Sequence, residues 1–394
     1  MLVTDLDLRL TELYEEMVTL RRHFHQHPEL SFEERETPRT IADYLRELGL
    51  EVREHVGGNG VVGRIHGGDG PTIAFRADFD ALPIQDLKDV PYRSKVNGSM
   101  HACGHDAHTA TLLVLAKVLT EISLPGDVVL IHQFAEELAP GGAKPMIEDG
   151  CLDGVDYIYG SHIWTPLPYG TIGVKTGSIM AAADRFELTI KGKGGHGAIP
   201  QHTVDAVIVG ANVVSQLQQV VSRRIDPLEP AVLTVGTFMA GQAFNVIADE
   251  AKLSGTVRTF TQETQTRIIA EMERTIDHIC SASEAHYDLE YIRGYPAVIN
   301  HAAETEHVRR SAARVVGTDG VIEMSPLMVG EDFAYYLQHV PGSFFFTGAG
   351  NPEVGAVFPH HHPRFDVDER AMLHTARILM QAAFETWNTH KKEE

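Results

Sequence analysis

The chain has 394 residues, with 33 lysines and arginines against 54 aspartates and glutamates, so its formal net charge is −21. A surface this acidic repels phosphate backbones, which excludes nucleic acid as a partner. The chain is longer than a typical single domain, and its 43% of hydrophobic residues is enough to form two hydrophobic cores. Two domains are therefore expected. Since no apolar run approaches the length needed to cross a bilayer, a membrane is excluded as well.

The cysteines and the N-terminal residues indicate in which cellular compartment the protein is expected. Cys103, Cys151 and Cys280 are odd in number and widely spaced, which does not make a disulfide framework for a chain of this size. Asp5, Asp7 and three glutamates before residue 17 make the start of the chain too acidic for a signal peptide. We therefore expect a cytoplasmic protein in which the Cys103 thiol is free.

The first part of the chain alternates between two apolar patterns. Helical spacing predicts helices over residues 8–25, 40–48, 109–119 and 144–149, and short apolar runs predict strands over 61–65, 72–77, 128–134 and 157–162. Such alternation is typical of a three-layer α/β domain.

The pattern changes near residue 184. The sequence there predicts a strand over 185–191, a helix over 204–222, strands over 232–238 and 252–260, a helix over 264–283 and a strand over 287–293. This βαββαβ order is that of a ferredoxin-like unit. A helix over 304–316, a strand over 344–346 and a helix over 369–387 follow. We predict an α/β catalytic domain of residues 1–183 and 297–394, interrupted by an inserted lid domain of residues 184–296.

Residues 100–108 concentrate potential metal or proton ligands, Cys103 and His105 among them. Thiolate, imidazole and carboxylate together suit zinc and its neighbours better than magnesium or calcium. A second pair, Glu136 and Glu137, follows a predicted strand and could divide metal binding from proton transfer. Both groups fall where ligands gather in α/β sheets, so the sequence predicts a metallohydrolase.

Each of these residues also has a simpler interpretation. Cys103 alone could be a small buried residue, and a histidine such as His162 at a strand end is usually part of the core. The run 360–362 of three histidines could be a solvated surface, and the paired glutamates could favour a helix start. Four such coincidences are less probable than one shared site.

Seven segments in order resemble the N-acyl-amino-acid amidohydrolases of the aminoacylase and carboxypeptidase family, in the branch with hippurate hydrolase and the auxin-conjugate hydrolases. They read HACGHDAH, QFAEE, GSHIW, GKGGHGAIP, AFNVIADEAKLSGTVRTF, MVGEDFAYY and HHHPRFDVDE. The resemblance runs from about Arg21 to the last helix. It implies a zinc-peptidase-like catalytic domain with two divalent metal ions (Zn, Mn, Co or Ni) and an inserted lid that mediates dimerisation.

The resemblance also implies a ligand set. Cys103 would bridge the two ions, with His105 and Glu137 completing one site and His162 and His361 the other. His361 is chosen because the ligand in this branch lies two residues before a proline. In the wider family a His-x-Asp motif supplies ligands; here Asp78 replaces that histidine, and the ligand role passes to Cys103 and His105.

Further roles follow from the same resemblance. Asp80 is interpreted as a carboxylate that orients a ligand imidazole, and Glu136 as the general base. His196 would stabilise the oxyanion in the neighbouring subunit, while Asn245 and Arg258 would hold the amide and carboxylate of the substrate. Without the resemblance, His196 would be interpreted as a loop histidine with no role. For Arg258, a carboxylate clamp and a charge on the strand surface would then be equally good interpretations.

The expected function is metal-dependent hydrolysis of N-acetyl or N-benzoyl amino acids by a homodimer or tetramer. A metallo-carboxypeptidase or dipeptidase is the alternative within the same chemistry, and a metal-binding protein without turnover is the alternative from another class. An aromatic acyl group would need an apolar slot, for which the candidates are Met180, Phe238, Met239, Phe244 and Leu327.

Overall fold

A computed structural model describes the backbone of residues 3–393 and the side chains of residues 5–391. The chain forms two compact units. The first unit contains the chain up to Ile179, Ile299–Ser325 and the chain from Asp332 onward, and the second contains Met180–Val298 and Pro326–Glu331. The predicted insertion covered residues 184–296; residues 326–331 were not expected in it.

The elements alternate along the chain. The helices are α1 (Val3–Glu12), α2 (Tyr14–Gln26), α3 (Glu36–Glu47), α4 (His105–Thr120), α5 (Ala143–Glu148), α6 (Ala206–Arg224), α7 (Gln262–Ala282), α8 (Ala302–Val316), α9 (Ala334–Leu337) and α10 (Ala371–Glu393). The strands are β1 (Glu51–Val56), β2 (Gly60–Ile65), β3 (Gly70–Asp78), β4 (Gly126–Gln133), β5 (Tyr157–Pro168), β6 (Ile172–Val174), β7 (Gly177–Met180), β8 (Ala182–Lys191), β9 (Gly195–His196), β10 (Ala231–Ala240), β11 (Val246–Ile247), β12 (Glu250–Thr259), β13 (His286–Tyr295), β14 (Val298–Asn300), β15 (Val321–Glu323) and β16 (Gly342–Gly350).

The first unit is built on an eight-stranded mixed sheet in the order β1-β2-β4-β3-β5-β16-β6-β15. Its centre is parallel, since β3 pairs in parallel with both β4 and β5, and β5 with β16. Nearly every residue of β3, β4 and β16 is buried, as expected for strands with both faces covered. This confirms the predicted α/β class and brings the carboxyl ends of the central strands to one edge.

The second unit contains a four-stranded antiparallel sheet in the order β10-β12-β8-β13. With α6 and α7 between its strands, the chain order is the predicted βαββαβ. Alternate residues of β8, namely Phe186, Leu188 and Ile190, are buried in the core formed with the two helices.

The sequence misplaced some element ends. One helix was predicted over 8–25, but α1 and α2 are separate helices. The predicted start of α3 at residue 40 was late, because the Glu29 carboxylate accepts the backbone N–H groups of Arg35, Glu36 and Thr37 and so caps the helix earlier. Strands β1, β6, β7, β9, β11, β14 and β15 and the short helix α9 were not predicted. Among the described residues, no helix is both long and apolar enough to span a membrane.

Candidate metal centre and active site

Most of the candidate metal-binding and catalytic residues of the first unit lie on or just after three neighbouring strands and at the start of one helix. Asp78 ends β3, and the glutamate pair follows β4, which lies beside it with Asp78 opposite Gln133. His162 lies in β5 just beyond the last residue that pairs with β3. Cys103 and His105 flank the start of α4, where Gly104 has a φ of 98° that a side chain rarely adopts. The parallel strand ends therefore collect donors that are far apart in sequence.

The Cys103 thiol lies at the centre of these donors. Its Sγ is 3.4 Å from Nε2 of His162. Its sulfur, one nitrogen of His105 and one of His162 lie within 4.8 Å of one another, and the same holds for Cys103, Glu137 and His361. The other four predicted metal ligands thus lie around the Cys103 sulfur. Burial, together with the nearby carboxylate of Glu137, raises the pKa of the Cys103 thiol, so a bound cation would be needed to hold it as a thiolate.

His105 is oriented through one ring nitrogen. Its Nδ1 lies 3.0 Å from Oδ1 of Asp80, the contact that the predicted orienting role of Asp80 requires. Its Nε2 is buried, and within the described residues it has no hydrogen-bond partner. Burial lowers the pKa of His105, but Asp78 and Asp80 raise it to about 10. A buried imidazole nitrogen without a hydrogen-bond partner, beside a thiol and carboxylates, fits a divalent transition metal ion.

Two histidines of the run 360–362 approach the cluster. His361, the predicted ligand, has a φ of 64°, and its Nε2 is 3.3 Å from Oε1 of Glu137, with 52% of its side chain exposed. His360 is half-buried and stacks on Trp164, and its Nδ1 is 3.7 Å from the Cys103 sulfur. The proximity of His360 to the thiol was not predicted, because the motif register alone cannot say where a neighbouring side chain points.

His108 and Asp78 form a support beneath the cluster. Nδ1 of His108 lies 2.6 Å from Oδ1 of Asp78, and its Nε2 accepts the backbone N–H of Ile163 at 2.9 Å. Both ring nitrogens are therefore engaged. Burial alone would raise the pKa of Asp78, but His105 and then Arg76 lower it well below its usual value. Arg76 also binds Asp332, so buried charges on β3 are paired.

Glu136 and Glu137 follow a turn with unusual backbone geometry. Ala135 is a buried non-glycine residue with a φ of 51°. Oxygens of both glutamates lie within 4.8 Å of each other and of a nitrogen of His105. The backbone N–H of Glu137 donates to Oδ2 of Asp80 at 3.0 Å, so one aspartate binds both the His105 ring and this turn.

His196 and Asn245 are neighbours in the second unit. His196 in β9 pairs with Val246 in β11, and the N–H of Gly197 donates to the carbonyl of Asn245 at 2.9 Å. The His196 side chain is exposed, and its Nδ1 accepts the N–H of Ala198. The two residues that the resemblance assigns to the lid are thus held side by side.

Arg258 lies elsewhere in the second unit. It lines a concavity of about 460 Å³ together with Asp184 and Thr256, and the lining does not include His196 or Asn245. Its Nη1 donates to the carbonyl of Asp184 at 3.4 Å and to the hydroxyl of Thr256. Burial lowers the pKa of the guanidinium.

Residues 74–385, which make up most of the chain, match the model of peptidase family M20/M25/M40. The chain belongs to this family. It is therefore a hydrolase, and the predicted resemblance is confirmed.

Relatives within the family carry different names. YhaA of Bacillus subtilis is 53% identical over 382 residues, covering 96% of each chain. N-acetyl-L-cysteine deacetylase of B. subtilis is 42% identical and covers 95% of this chain and 89% of that one. Thermostable carboxypeptidase 2 of Saccharolobus solfataricus is 38% identical, with 93% and 94% covered.

A solved structure matches the whole fold. The crystal structure of B. subtilis YXEP, described as a dinuclear metal-binding peptidase of family M20, superposes with a TM-score of 0.85 at 36% identity. The match covers 96% of this chain and 99% of that one.

Proposed function

We propose that this M20 hydrolase cleaves the amide bond of N-acyl amino acids of the N-acetyl or N-benzoyl type, releasing a carboxylic acid and a free amino acid. One observation carries the proposal: the buried carboxyl of Glu136 adjoins Glu137, one of the donors gathered around the Cys103 thiol. A metal-binding protein without turnover would have no use for a second carboxyl there. The name of one relative, N-acetyl-L-cysteine deacetylase, supports the same chemistry.

We propose two divalent metal ions per subunit, drawn from Zn, Mn, Co and Ni. Cys103 would bridge them, His105 and Glu137 would complete one site, and His162 and His361 the other. The buried Nε2 of His105, which has no hydrogen-bond partner among the described residues, and the dinuclear centre described for YXEP support this assignment. Bound ions of this kind lower the pKa of a water molecule and polarise a carbonyl oxygen.

Glu136 would move the protons of the reaction. Its carboxylate takes a proton from the attacking water as the water oxygen bonds to the amide carbon. The same carboxyl then gives that proton to the leaving nitrogen as the C–N bond breaks. Asp80 would act through others, because it holds the His105 ring and the N–H of Glu137 in place.

The second unit would complete the site in trans, as His196 stabilises the oxyanion of the neighbouring subunit and Asn245 and Arg258 hold the substrate. A homodimer, or a tetramer made of two dimers, provides that subunit. Strand β10 supports such pairing because it is an edge strand with the exposed apolar side chains of Phe238 and Met239. The cytoplasmic location stays a prediction.

The test is a substrate panel. Free amino acid is measured after incubation with N-acetyl amino acids, N-benzoyl amino acids and dipeptides, first with the chelated protein and then with each divalent metal restored. We expect turnover of N-acyl amino acids only in metal-loaded samples. Absence of turnover in every loaded sample would contradict the proposal.

Peptide cleavage is the competing activity. Arg258 could clamp the C-terminal carboxylate of a peptide as well as that of an N-acyl amino acid, and a similar relative is named a carboxypeptidase. The ratio of kcat/KM for an N-acetyl amino acid to that for the dipeptide with the same C-terminal residue decides between them. A ratio below one would favour the peptidase.

A further inference from the structure

Glu34 is a buried carboxyl outside the metal cluster. It lies between α2 and α3 with 1% of its surface exposed. Its Oε1 accepts the backbone N–H of Ala135 at 2.9 Å, and its Oε2 accepts Nδ2 of Asn59 at 3.0 Å. Both partners are neutral, and burial raises the pKa of Glu34 to about 7. Burying such a group without a cation is costly, so its position calls for an explanation.

The bond to Ala135 falls on the strained residue of the catalytic turn. A φ of 51° costs energy for any residue with a Cβ, and such strain persists only where the surroundings hold it. Glu136 follows directly. The N–H before it, on Ala135, binds Glu34, and the N–H after it, on Glu137, binds Asp80. Two buried carboxyls from separate segments therefore fix the backbone on either side of Glu136.

The segment that carries Glu34 contacts this turn and its support at two more points. The Ser31 hydroxyl donates to Oδ2 of Asp80 at 2.7 Å. The Phe32 ring packs edge-on against Phe134, with centroids 5.7 Å apart, and Phe32 itself has a φ of 67°. Residues 31–34 thus pack against the turn and support it. Within this segment, Glu34 is the residue whose side chain is hydrogen-bonded to the backbone of Ala135.

We propose that Glu34 is a positioning residue: through the N–H of Ala135 it holds the turn that aims the carboxyls of Glu136 and Glu137. This inference rests on the proposed function, which assigns the carboxyl of Glu136 to proton transfer and that of Glu137 to metal binding. Glu34 itself would touch neither substrate nor metal. What the turn requires is a hydrogen-bond acceptor, since the partner is an amide N–H.

Three variants separate this role from simple stability. Glu34→Ala removes the acceptor. Glu34→Gln keeps an acceptor oxygen for Ala135, and its amide can pair with Asn59 after a flip of the Asn59 amide. Glu33→Ala makes the same truncation at an exposed neighbouring residue and is the matched control. For each variant, kcat and KM with an N-acetyl amino acid, the affinity for Mn²⁺ by titration, and the melting temperature are measured.

We expect Glu34→Ala to lower kcat about 10- to 100-fold with a smaller change in KM. The reason is that a small displacement of catalytic groups slows the chemical step more than it weakens substrate binding. Its Mn²⁺ affinity should fall as well, since Glu137 shares the turn. Glu34→Gln should restore both to within about threefold of wild type, and Glu33→Ala should match wild type. If Glu34→Ala does not fold, Glu34→Asp, which keeps the charge but withdraws the oxygens from Ala135, should show the same losses.

Failure of the proposed function and failure of the role proposed for Glu34 would give different results in these measurements. If the wild-type protein turns over no substrate, the proposed function fails, and the Mn²⁺ affinities of the variants still test Glu34. Wild-type values of kcat and Mn²⁺ affinity in Glu34→Ala would overturn the inference. So would a Glu34→Gln variant as impaired as Glu34→Ala, since the negative charge would then matter rather than the acceptor.

Discussion

At the scale of single residues, the candidate site separates acidic side chains by what they contact. Glu136 and Glu137 face the thiol and imidazole donors, whereas Asp80 binds a ring nitrogen and a backbone N–H. The first two can exchange protons or bind an ion, and the third can only fix the others in place. Substitutions that keep shape but remove charge should therefore give different results at each position.

Glu136→Gln tests proton transfer. The amide keeps the size of the side chain but cannot accept a proton, so kcat should fall at least about 10²-fold. The metal content should stay at the wild-type value, because Glu137 supplies the predicted ligand. Activity assays on protein of measured metal content check both. Metal loss in this variant would move Glu136 from the proton-transfer role to the ligand set.

Asp80→Asn tests the support of His105. An amide can replace only part of the contacts to Nδ1 of His105 and the N–H of Glu137, so metal affinity should fall about 10- to 100-fold. Competition with a chelator measures it. Asp69→Asn, at an exposed aspartate of the same unit, is the control. An unchanged affinity in Asp80→Asn would show that the ring needs no such orientation.

Glu34 should make stability depend on pH. Its pKa is raised from 4.5 to about 7 in the folded protein, chiefly by burial and further by Asp80. The folded state therefore binds the proton more tightly, and the stability this contributes is complete below pH 4.5 and lost as pH rises through 7. In chelated protein, the free energy of unfolding of wild type relative to Glu34→Gln should fall by up to about 3 kcal/mol between pH 5 and 8. Denaturant titrations at both pH values measure this difference, and a difference independent of pH would contradict it.

At the scale of elements, the starts of two helices depend on residues that precede them. Helix α4 begins directly after Gly104, whose left-handed φ lets Cys103 and His105 both point into the cluster. Helix α3 begins where Glu29 caps it. The sequence predicted both helices but placed their starts four residues late, because a cap or a glycine turn was not included in the periodic pattern.

Glu29→Ala tests the cap of α3. The substitution leaves the N–H groups of Arg35, Glu36 and Thr37 without this acceptor, so the free energy of unfolding should fall by about 1–2 kcal/mol. Glu29→Gln retains one acceptor oxygen and should lose less. Chemical denaturation of the three proteins measures the order, and equal stability of Glu29→Ala and wild type would exclude the cap.

At the scale of the whole molecule, the proposed site draws on two subunits. Glu136 belongs to the first unit and His196 to the second. If His196 acts on the neighbouring subunit, a dimer made of one Glu136→Gln and one His196→Ala chain contains one complete site. The arrangement of the subunits therefore determines whether two inactive variants can restore each other.

Mixing the two variants after dissociation and reassociation tests this arrangement. Random pairing makes half of the dimers mixed, each with one working site of two, so about one quarter of wild-type activity should return. If His196 acts within its own chain, the mixture should stay inactive. Full activity of a verified wild-type monomer would equally exclude the trans arrangement.

The sequence by itself determined the types of most of the longer elements in both units and the chemical nature of the donors, because periodicity and side-chain chemistry are local properties. It also predicted that Asp80 would orient an imidazole, through the family resemblance. Only the tertiary structure decided that His360 approaches the thiol, that His108 supports Asp78, and that Glu34 binds Ala135. These pairs are separated by 30 residues or more, and only the packing of parallel strand ends and the segments around them brings such residues together.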